Sequence, residues 1–293
     1  MNWLKSLKSR VKQEEPLRDK TTFRIGGPAE YFAEPGDPQE LRDLLALAGK
    51  AGAAVRVIGA GSNVLVPDKG VRGLVIRLGS PYFKSASFSG CRLTAGSAAM
   101  LGSLIRESAR RGLSGLEFLT GVPGTLGGAL AMNAGAWGRN LGDLVVNVTV
   151  MDYNGKVKDF DRDQIKFAYR RSSVSKYIVL KAVLKLEKSA NKAIKARAAG
   201  YLGQRRISQD NSFPNAGCVF KNPGGKSAGK LIDLCGLKGR SSGGARVSMR
   251  HANFILNYKG AKARDVLGLM SLAKKRVKAR FNVGLVPEIK IWR

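Results

Sequence analysis

The chain has 293 residues, with 51 Lys and Arg against 21 Asp and Glu, a net charge of +30, and 36 glycines against 10 prolines. That length predicts two domains rather than one, and a hydrophobic content of 44% is that of a globular chain and not a disordered one. So much glycine, which favours tight turns and close backbone approaches, excludes a fully helical architecture. The charge attracts polyanions of any kind: nucleic acid, anionic lipid or phosphate-bearing small molecules. The basic residues are spread over Lys5–Lys12, Lys181–Arg206 and Lys262–Arg280 with no RNP1 or zinc-finger spacing. They read as a solvated basic surface, compatible with weak association with an anionic membrane surface and without a specific nucleic-acid site.

Cys91, Cys218 and Cys235 form no CxxC pair, and His251 is the sole histidine. Reduced thiols are expected, with no metal site. Residues 1–14 alternate basic and apolar residues without a signal-like apolar run. No later stretch reaches the roughly 18 apolar residues of a membrane span, so a cytoplasmic protein is expected.

In chain order, Asp37-Pro38-Gln39-Glu40 reads as a helix start, with Asp37 as cap, Pro38 in the first turn and Glu40 closing a capping box. Leu41, Leu44, Leu45 and Ala48 mark its buried face. Val55–Ile58 and Leu74–Leu78 read as strands, and Met100–Arg111 as a helix buried through Leu101, Leu104 and Ile105 and stopped by Gly112. Strands return at Val145–Met151 and Tyr177–Leu186, interrupted by a turn of helix ending near Phe167-Ala168-Tyr169-Arg170. A basic helix over Ala190–Arg206 marks a domain boundary near residue 200. Beyond it, Ser227 caps a short helix to Leu234 that stops at Gly236, and Ala252–Asn257 is strand-like. Val266, Leu269, Met270, Ala273 and Val277 define a long amphipathic helix.

Two segments have the composition of anion-binding loops. Gly59-Ala60-Gly61-Ser62-Asn63 follows a strand, as in dinucleotide loops whose glycines let backbone N–H groups approach a pyrophosphate. Val64-Leu65-Val66 and Pro67–Gly70 then read as strand and turn instead of the helix a Rossmann unit requires. Thr120-Gly121-Val122-Pro123-Gly124-Thr125-Leu126-Gly127-Gly128-Ala129 is poor in regular-structure signals and rich in N–H and hydroxyl donors. Asn133, Gly135 and their small neighbours continue it and let a flat ring lie close to backbone. Gly225-Lys226-Ser227 is not the end of a Walker A loop, because Phe220 stands where that loop needs glycine.

Those segments, together with Thr21–Ala29, Tyr169-Arg170-Arg171-Ser172, Asn215–Pro223, His251-Ala252-Asn253-Phe254 and Val286-Pro287-Glu288-Ile289, occur in an order that resembles UDP-N-acetylenolpyruvoylglucosamine reductase, the MurB family, from about Glu15 to Trp292. The resemblance implies an α+β fold: an FAD-binding domain of the vanillyl-alcohol oxidase (PCMH) type with a smaller C-terminal α+β substrate domain. The expected boundaries are 1–199 for the FAD-binding region (subdomains about 1–75 and 76–199, with strand 284–293 packing back) and 200–283 for the substrate domain. It further implies non-covalent FAD, NADPH as hydride donor, and reduction of UDP-N-acetylglucosamine enolpyruvate in peptidoglycan precursor synthesis.

The cofactor-binding residues implied are Gly59, Ala60, Gly61, Ser62, Asn63, Thr120, Gly121, Pro123, Gly124, Thr125, Gly127, Gly128, Asn133 and Gly135. Arg170 matches an arginine at the substrate carboxylate, whose fork suits two oxygens. Glu288 matches an acid that stabilises the enolate, and Cys218 stands where many members have a proton-donating serine. Val286 replaces the first glutamate of the common Glu-Pro-Glu, which leaves Glu288 as the one acidic candidate. Tyr169 and Asn222 match substrate positions. A lysine that some members carry upstream of Asn215 is missing here, its place taken by Ser208 or a near neighbour, so diphosphate recognition falls to other basic residues such as Lys221. The length resembles the shorter, second type of the family. The rival readings are an oxygen-using flavin oxidase on the same fold and a non-catalytic flavin or nucleic-acid binder.

Overall fold

The computed structural model describes residues 11–293; the alternating basic and apolar pattern of residues 1–10 lies outside them. Contacts divide the chain into two units. The first comprises Tyr31–Gly59 and Arg72–Gln204 with the described residues up to Gln13, and the second Glu14–Glu30, Ala60–Val71 and Arg205–Arg293. The second unit is therefore discontinuous, drawing on two segments before residue 75, whereas the sequence suggests one contiguous stretch from 200 to 283.

In the first unit, Val55–Ile58 and Val71–Arg77 pair in parallel, Val57 opposite Ile76, in a sheet that also takes in Pro28–Ala33 and Lys12–Pro16. The helix Pro38–Lys50 begins as its sequence dictates, with Asp37 accepting the Glu40 N–H at 2.9 Å. Glu40 reaches back one residue further than expected, to the Gly36 N–H. Leu41, Leu44, Leu45 and Ala48 are buried in one cluster with Leu74, Ile76, Phe83, Met151, Ile178 and Leu180.

A second, antiparallel sheet runs in the order Val157–Asp161, Val145–Met151, Ile178–Lys185, Arg92–Gly96, Ala86–Ser89. It is buried on both faces: Met151, Ile178 and Leu180 join the first cluster, while Val148, Val150, Val179 and Leu184 pack with the helices Leu101–Arg110 and Leu126–Ala131. That double burial explains why Ile178–Leu184 is nearly continuous in apolar residues.

Two local expectations are corrected. The turn of helix placed near Phe167–Arg170 is a β-hairpin, Phe167–Ala168 against Arg171–Ser172, with Tyr169 and Arg170 as its turn; 3-10 turns lie on either side of it, at Arg162–Gln164 and Ser173–Lys176. Phe167 settles the matter by packing where a Gly142 β-carbon would lie 2.6 Å from its ring, a tertiary contact without a local signature. The run Thr120–Ala129 is not irregular throughout, because Thr125 caps a short helix, Leu126–Ala131. Burial of Leu126, Ala129 and Leu130 outweighs the poor helix propensity of Gly127 and Gly128.

The second unit carries a three-stranded antiparallel sheet, Ser241–Ser242, Ala245–Val247 and Ile255–Asn257, beside the helices Ala228–Leu234 and Ala263–Phe281. Val266, Leu269, Met270, Ala273 and Val277 form its core with Phe23, Ile25, Leu65, Val219 and Phe220. Asp68 accepts the N–H groups of Ala263 and Arg264, at 2.7 and 3.2 Å, and so caps the long helix from a distant segment. The final strand Lys290–Ile291 pairs in parallel with Val64–Leu65. No helix of the described residues is long and apolar enough to cross a membrane.

Candidate functional site

In the first unit, Gly59 ends the strand Val55–Ile58, and a β-carbon on it would stand 2.6 Å from Thr125 Oγ1. Gly127 is equally confined, its β-carbon position lying 2.9 Å from that of Ser97. These glycines are required for close approach. Gly121 (φ 80°) and Gly124 (φ 152°) are required by their backbone instead. Among the described residues, the N–H groups of Gly59, Gly121 and Gly124 donate to no protein acceptor. Thr120 Oγ1 and Ser97 Oγ are buried with no hydrogen-bond partner among the described residues. Free amides and stranded hydroxyls beside glycines that exclude side chains fit a diphosphate and its flat ring system, since buried polar groups are otherwise satisfied.

The segment leading into Thr120 is held by Glu117. Its carboxylate accepts from the Gly115 N–H at 2.6 Å, from Ser114 Oγ at 2.8 Å, and from Arg197 through Nε (3.1 Å) and Nη2 (3.0 Å). Burial acts to raise the Glu117 pKa, and the hydrogen bonds outweigh it, so the group stays ionised below its ordinary range. Sequence reasoning missed both Glu117 and Arg197. The one available signal was an acid inside the apolar run Leu116–Leu119.

Asn133 uses both ends of its carboxamide within the protein: Nδ2 donates to Ala168 O at 3.2 Å, and Oδ1 accepts the Gly142 N–H at 2.9 Å. Its side chain thereby orients the Tyr169–Arg170 turn. Ser172 Oγ donates to Leu130 O at 2.7 Å, tying the same hairpin to the end of the helix Leu126–Ala131. Arg170 sits at φ 54° and donates through Nη1 to Gly135 O at 2.9 Å. The guanidinium lies 5.4 Å from the ring of Tyr169, which is half exposed. The first unit thus assembles Gly59, Thr120–Thr125, Gly127, Gly128, Asn133, Gly135, Tyr169 and Arg170 on one connected scaffold.

The second unit assembles the remainder. Gly61 packs against Lys20 O, 2.0 Å from its β-carbon position, and its own carbonyl accepts the Thr22 N–H. Asn63 accepts the Lys290 N–H through its backbone and donates through Nδ2 to Glu288 O at 3.3 Å. Cys218, half-buried and in no disulfide, bridges to Phe254. Phe220 pairs with Pro287, the Glu288 N–H donates to Val219 O at 2.9 Å, and the Lys221 N–H donates to Val286 O at 2.9 Å. Cys218 and Glu288 are therefore carried on adjacent, hydrogen-bonded backbone. Asn222 Oδ1 accepts the Ala228 N–H at 3.0 Å at the start of the helix Ala228–Leu234.

Two buried polar residues that the sequence did not single out, Asp210 and Ser248, frame this arrangement together with the half-buried His251. Asp210 Oδ2 accepts from Ser248 Oγ at 2.6 Å, and Ser248 Oγ in turn accepts the N–H groups of Arg250 and His251. Burial raises the Asp210 pKa, but the hydrogen bonds from Ser212 and Ser248 prevail and lower it. His251 is held neutral by burial, its pKa lowered, while Nδ1 accepts the Asn253 N–H at 3.2 Å. Among the described residues, no group of three or more His, Cys, Asp or Glu is placed to hold a metal ion.

Comparison with known proteins agrees with these features. The family model for an FAD binding domain matches residues 29–161, and that for the C-terminal domain of UDP-N-acetylenolpyruvoylglucosamine reductase matches 208–292. The chain is 43% identical over 285 residues to UDP-N-acetylenolpyruvoylglucosamine reductase 2 of Symbiobacterium thermophilum, covering 97% of this chain and 92% of the relative. It is 40% identical to the Clostridioides difficile reductase, covering 97% and 94%. The crystal structure of the Thermus caldophilus reductase superposes with a TM-score of 0.84 at 36% identity, covering 98% of this chain and 99% of that one. Phl p 4.0202, a glucose dehydrogenase, superposes at a TM-score of 0.50 and 16% identity over 62% of this chain and 42% of its own. That likeness shows the fold alone, the expected vanillyl-alcohol oxidase (PCMH) type. With an FAD binding domain, a reductase C-terminal domain and relatives similar over nearly their whole length, the chain belongs to the UDP-N-acetylenolpyruvoylglucosamine reductase family.

Proposed function

We propose that the chain catalyses NADPH-dependent reduction of UDP-N-acetylglucosamine enolpyruvate to UDP-N-acetylmuramate, with Arg170, Glu288 and Cys218 as its catalytic residues. Bound FAD would supply the hydride-transfer chemistry between NADPH and the enolpyruvyl group. The residues proposed to hold it are Gly59 to Asn63, Thr120, Gly121, Pro123 to Thr125, Gly127, Gly128, Asn133 and Gly135, with Asn133 acting through the turn it orients.

Hydride addition turns the methylene into a methyl group and leaves negative charge on the neighbouring carbon, delocalised into the carboxylate as an enolate. Arg170, its backbone set in a hairpin turn and one Nη tied to Gly135 O, offers a permanent positive charge to that carboxylate. Glu288, as a protonated acid, donates a hydrogen bond to an enolate oxygen. The Cys218 thiol gives its proton to the carbon that carries the charge, and the resulting thiolate regains a proton from solvent. A thiol, with an ordinary pKa of about 8.5, gives up a proton more readily than the serine hydroxyl it replaces. Tyr169, Lys221 and Asn222 bind the rest of the substrate, Lys221 at the diphosphate.

The observation that carries this reading is the hydrogen bond from the Glu288 N–H to Val219 O, which joins the backbone of the acid to the residue after Cys218. The test separates the two half-reactions. In Cys218→Ala, flavin reduction by NADPH proceeds at the wild-type rate while reoxidation by the enolpyruvyl substrate stops. Reoxidation at the wild-type rate would remove Cys218 from the mechanism.

A further inference from the structure

We propose that Asn253 is a positioning residue for proton delivery, holding Cys218 in register with Glu288; the inference rests on the role proposed for Cys218. Asn253 is 1% exposed. Its carboxamide brackets a single residue of the neighbouring segment, Oδ1 accepting the Phe220 N–H at 3.0 Å and Nδ2 donating to Phe220 O at 2.8 Å. Its backbone carbonyl accepts the Val219 N–H at 2.9 Å.

The other side of the same segment is bonded to residues 286–288 through Val219 O with the Glu288 N–H and the Lys221 N–H with Val286 O. Residues 219–221 are thus an extended segment held by backbone on one side and by Asn253, through its carboxamide and its carbonyl, on the other. A carboxamide can do this because it presents a donor and an acceptor at the spacing of a peptide group. Nothing else among the described residues bonds the Phe220 backbone groups, so the set of the chain just after Cys218 depends on this amide.

Asn253 is itself clamped. Its N–H donates to His251 Nδ1, and the turn before it is pinned by Ser248, which is 0% exposed and donates to Asp210. A rigid relay of hydrogen bonds therefore runs from Asp210 through Ser248 and Asn253 to the two residues following Cys218. Proton transfer to carbon is sensitive to such placement, since a displacement of about 1 Å can cost roughly a hundredfold in rate.

The test uses the FAD-loaded enzyme and Asn253→Asp, which keeps the shape and the acceptor for the Phe220 N–H but sets an oxygen against Phe220 O. Flavin reduction by NADPH stays at the wild-type rate and substrate affinity is unchanged, while reoxidation by the enolpyruvyl substrate slows by roughly a hundredfold. The solvent deuterium isotope effect on reoxidation rises, because proton transfer becomes limiting; a loss of folded protein alone moves neither the affinity nor the isotope effect. Ser248→Ala, which loosens the turn and leaves the carboxamide intact, gives the same split at smaller size and serves if Asn253→Asp does not fold. Wild-type reoxidation with an unchanged isotope effect in the folded variant overturns the proposal. Cys218→Ala, measured alongside, separates the two failures: if it blocks reoxidation and the Asn253 and Ser248 variants do not slow it, the positioning role alone fails. If Cys218→Ala reoxidises normally, the proton-donor reading and this inference fail together.

Discussion

A β-carbon on Gly59 would stand 2.6 Å from Thr125 Oγ1, so the two glycine-rich segments meet with no space for a side chain between them. Gly59 lies outside the left-handed region, so a substitution there costs contact and not backbone strain. Gly59→Val therefore forces the two segments apart where the free amides lie. It is expected to weaken FAD binding by at least about tenfold, or about 1.4 kcal/mol. The flavin-to-protein absorbance ratio after dialysis checks this, and full retention of flavin would remove the close approach from the account of the site.

Glu117 and Arg197 join the helix Asn191–Ser208 to the segment that leads into Thr120. Of that helix only Ile194 is buried outright, so the ion pair is a principal attachment. Glu117→Gln leaves the guanidinium without its charged partner and is expected to cost about 1–3 kcal/mol of stability, with some loss of flavin. Thermal unfolding of the holoprotein measures the first and absorbance the second.

The buried ionisable groups fix the direction of the pH dependence. Glu117, Asp210 and His251 all have pKa values lowered by folding, so the unfolded chain binds more protons and stability rises with pH. The His251 contribution is complete above its ordinary value of about 6.5 and is lost as pH falls from there through its folded value; the two carboxylates add their losses at lower pH. Urea unfolding should be flat above neutrality and weaken on acidification, and His251→Gln should flatten the segment just below pH 6.5. A wild-type protein more stable at pH 5.5 than at pH 8 contradicts this.

Asp68 caps the helix Ala263–Phe281 across nearly 200 positions of sequence, through Ala263 and Arg264. Asp68→Ala should cost about 1 kcal/mol, the usual worth of a side-chain cap. Hydrogen exchange localises the effect: protection should fall at the start of that helix and leave Pro38–Lys50 unchanged.

Much of the fold was legible where the signal is local. Asp37 and Ser227 cap the helices their sequences announce, and the apolar spacing of Val266 to Val277 places the buried face of the last long helix. The hairpin Phe167–Ser172 was not legible, because strands of two residues carry no periodicity and its form is set by bonds to Asn133 and Leu130. Nor was the discontinuity of the second unit. Thr22 donating to Asn215 O, Asn257 donating to Phe23 O and Asp68 capping Ala263 are each long-range, and polar loop residues look alike before they fold. The glycine loops declared themselves through composition, whereas the positions of Arg170, Cys218 and Glu288 entered through family resemblance. Glu117, Asp210 and Ser248 stayed hidden, and Asn253 showed only as part of a motif, because a buried polar residue is defined by its partners, and those lie elsewhere in the chain.

The central claim is that a flavin reductase acts here on an enolpyruvyl sugar nucleotide. The most direct measurement follows NADPH absorbance in the presence of the purified yellow protein, with and without UDP-N-acetylglucosamine enolpyruvate. NADPH should be consumed steadily only when the substrate is present, with UDP-N-acetylmuramate formed in equal amount. NADPH consumption that ignores the substrate, or no consumption with it, would rule out reduction of the enolpyruvyl sugar nucleotide by this protein.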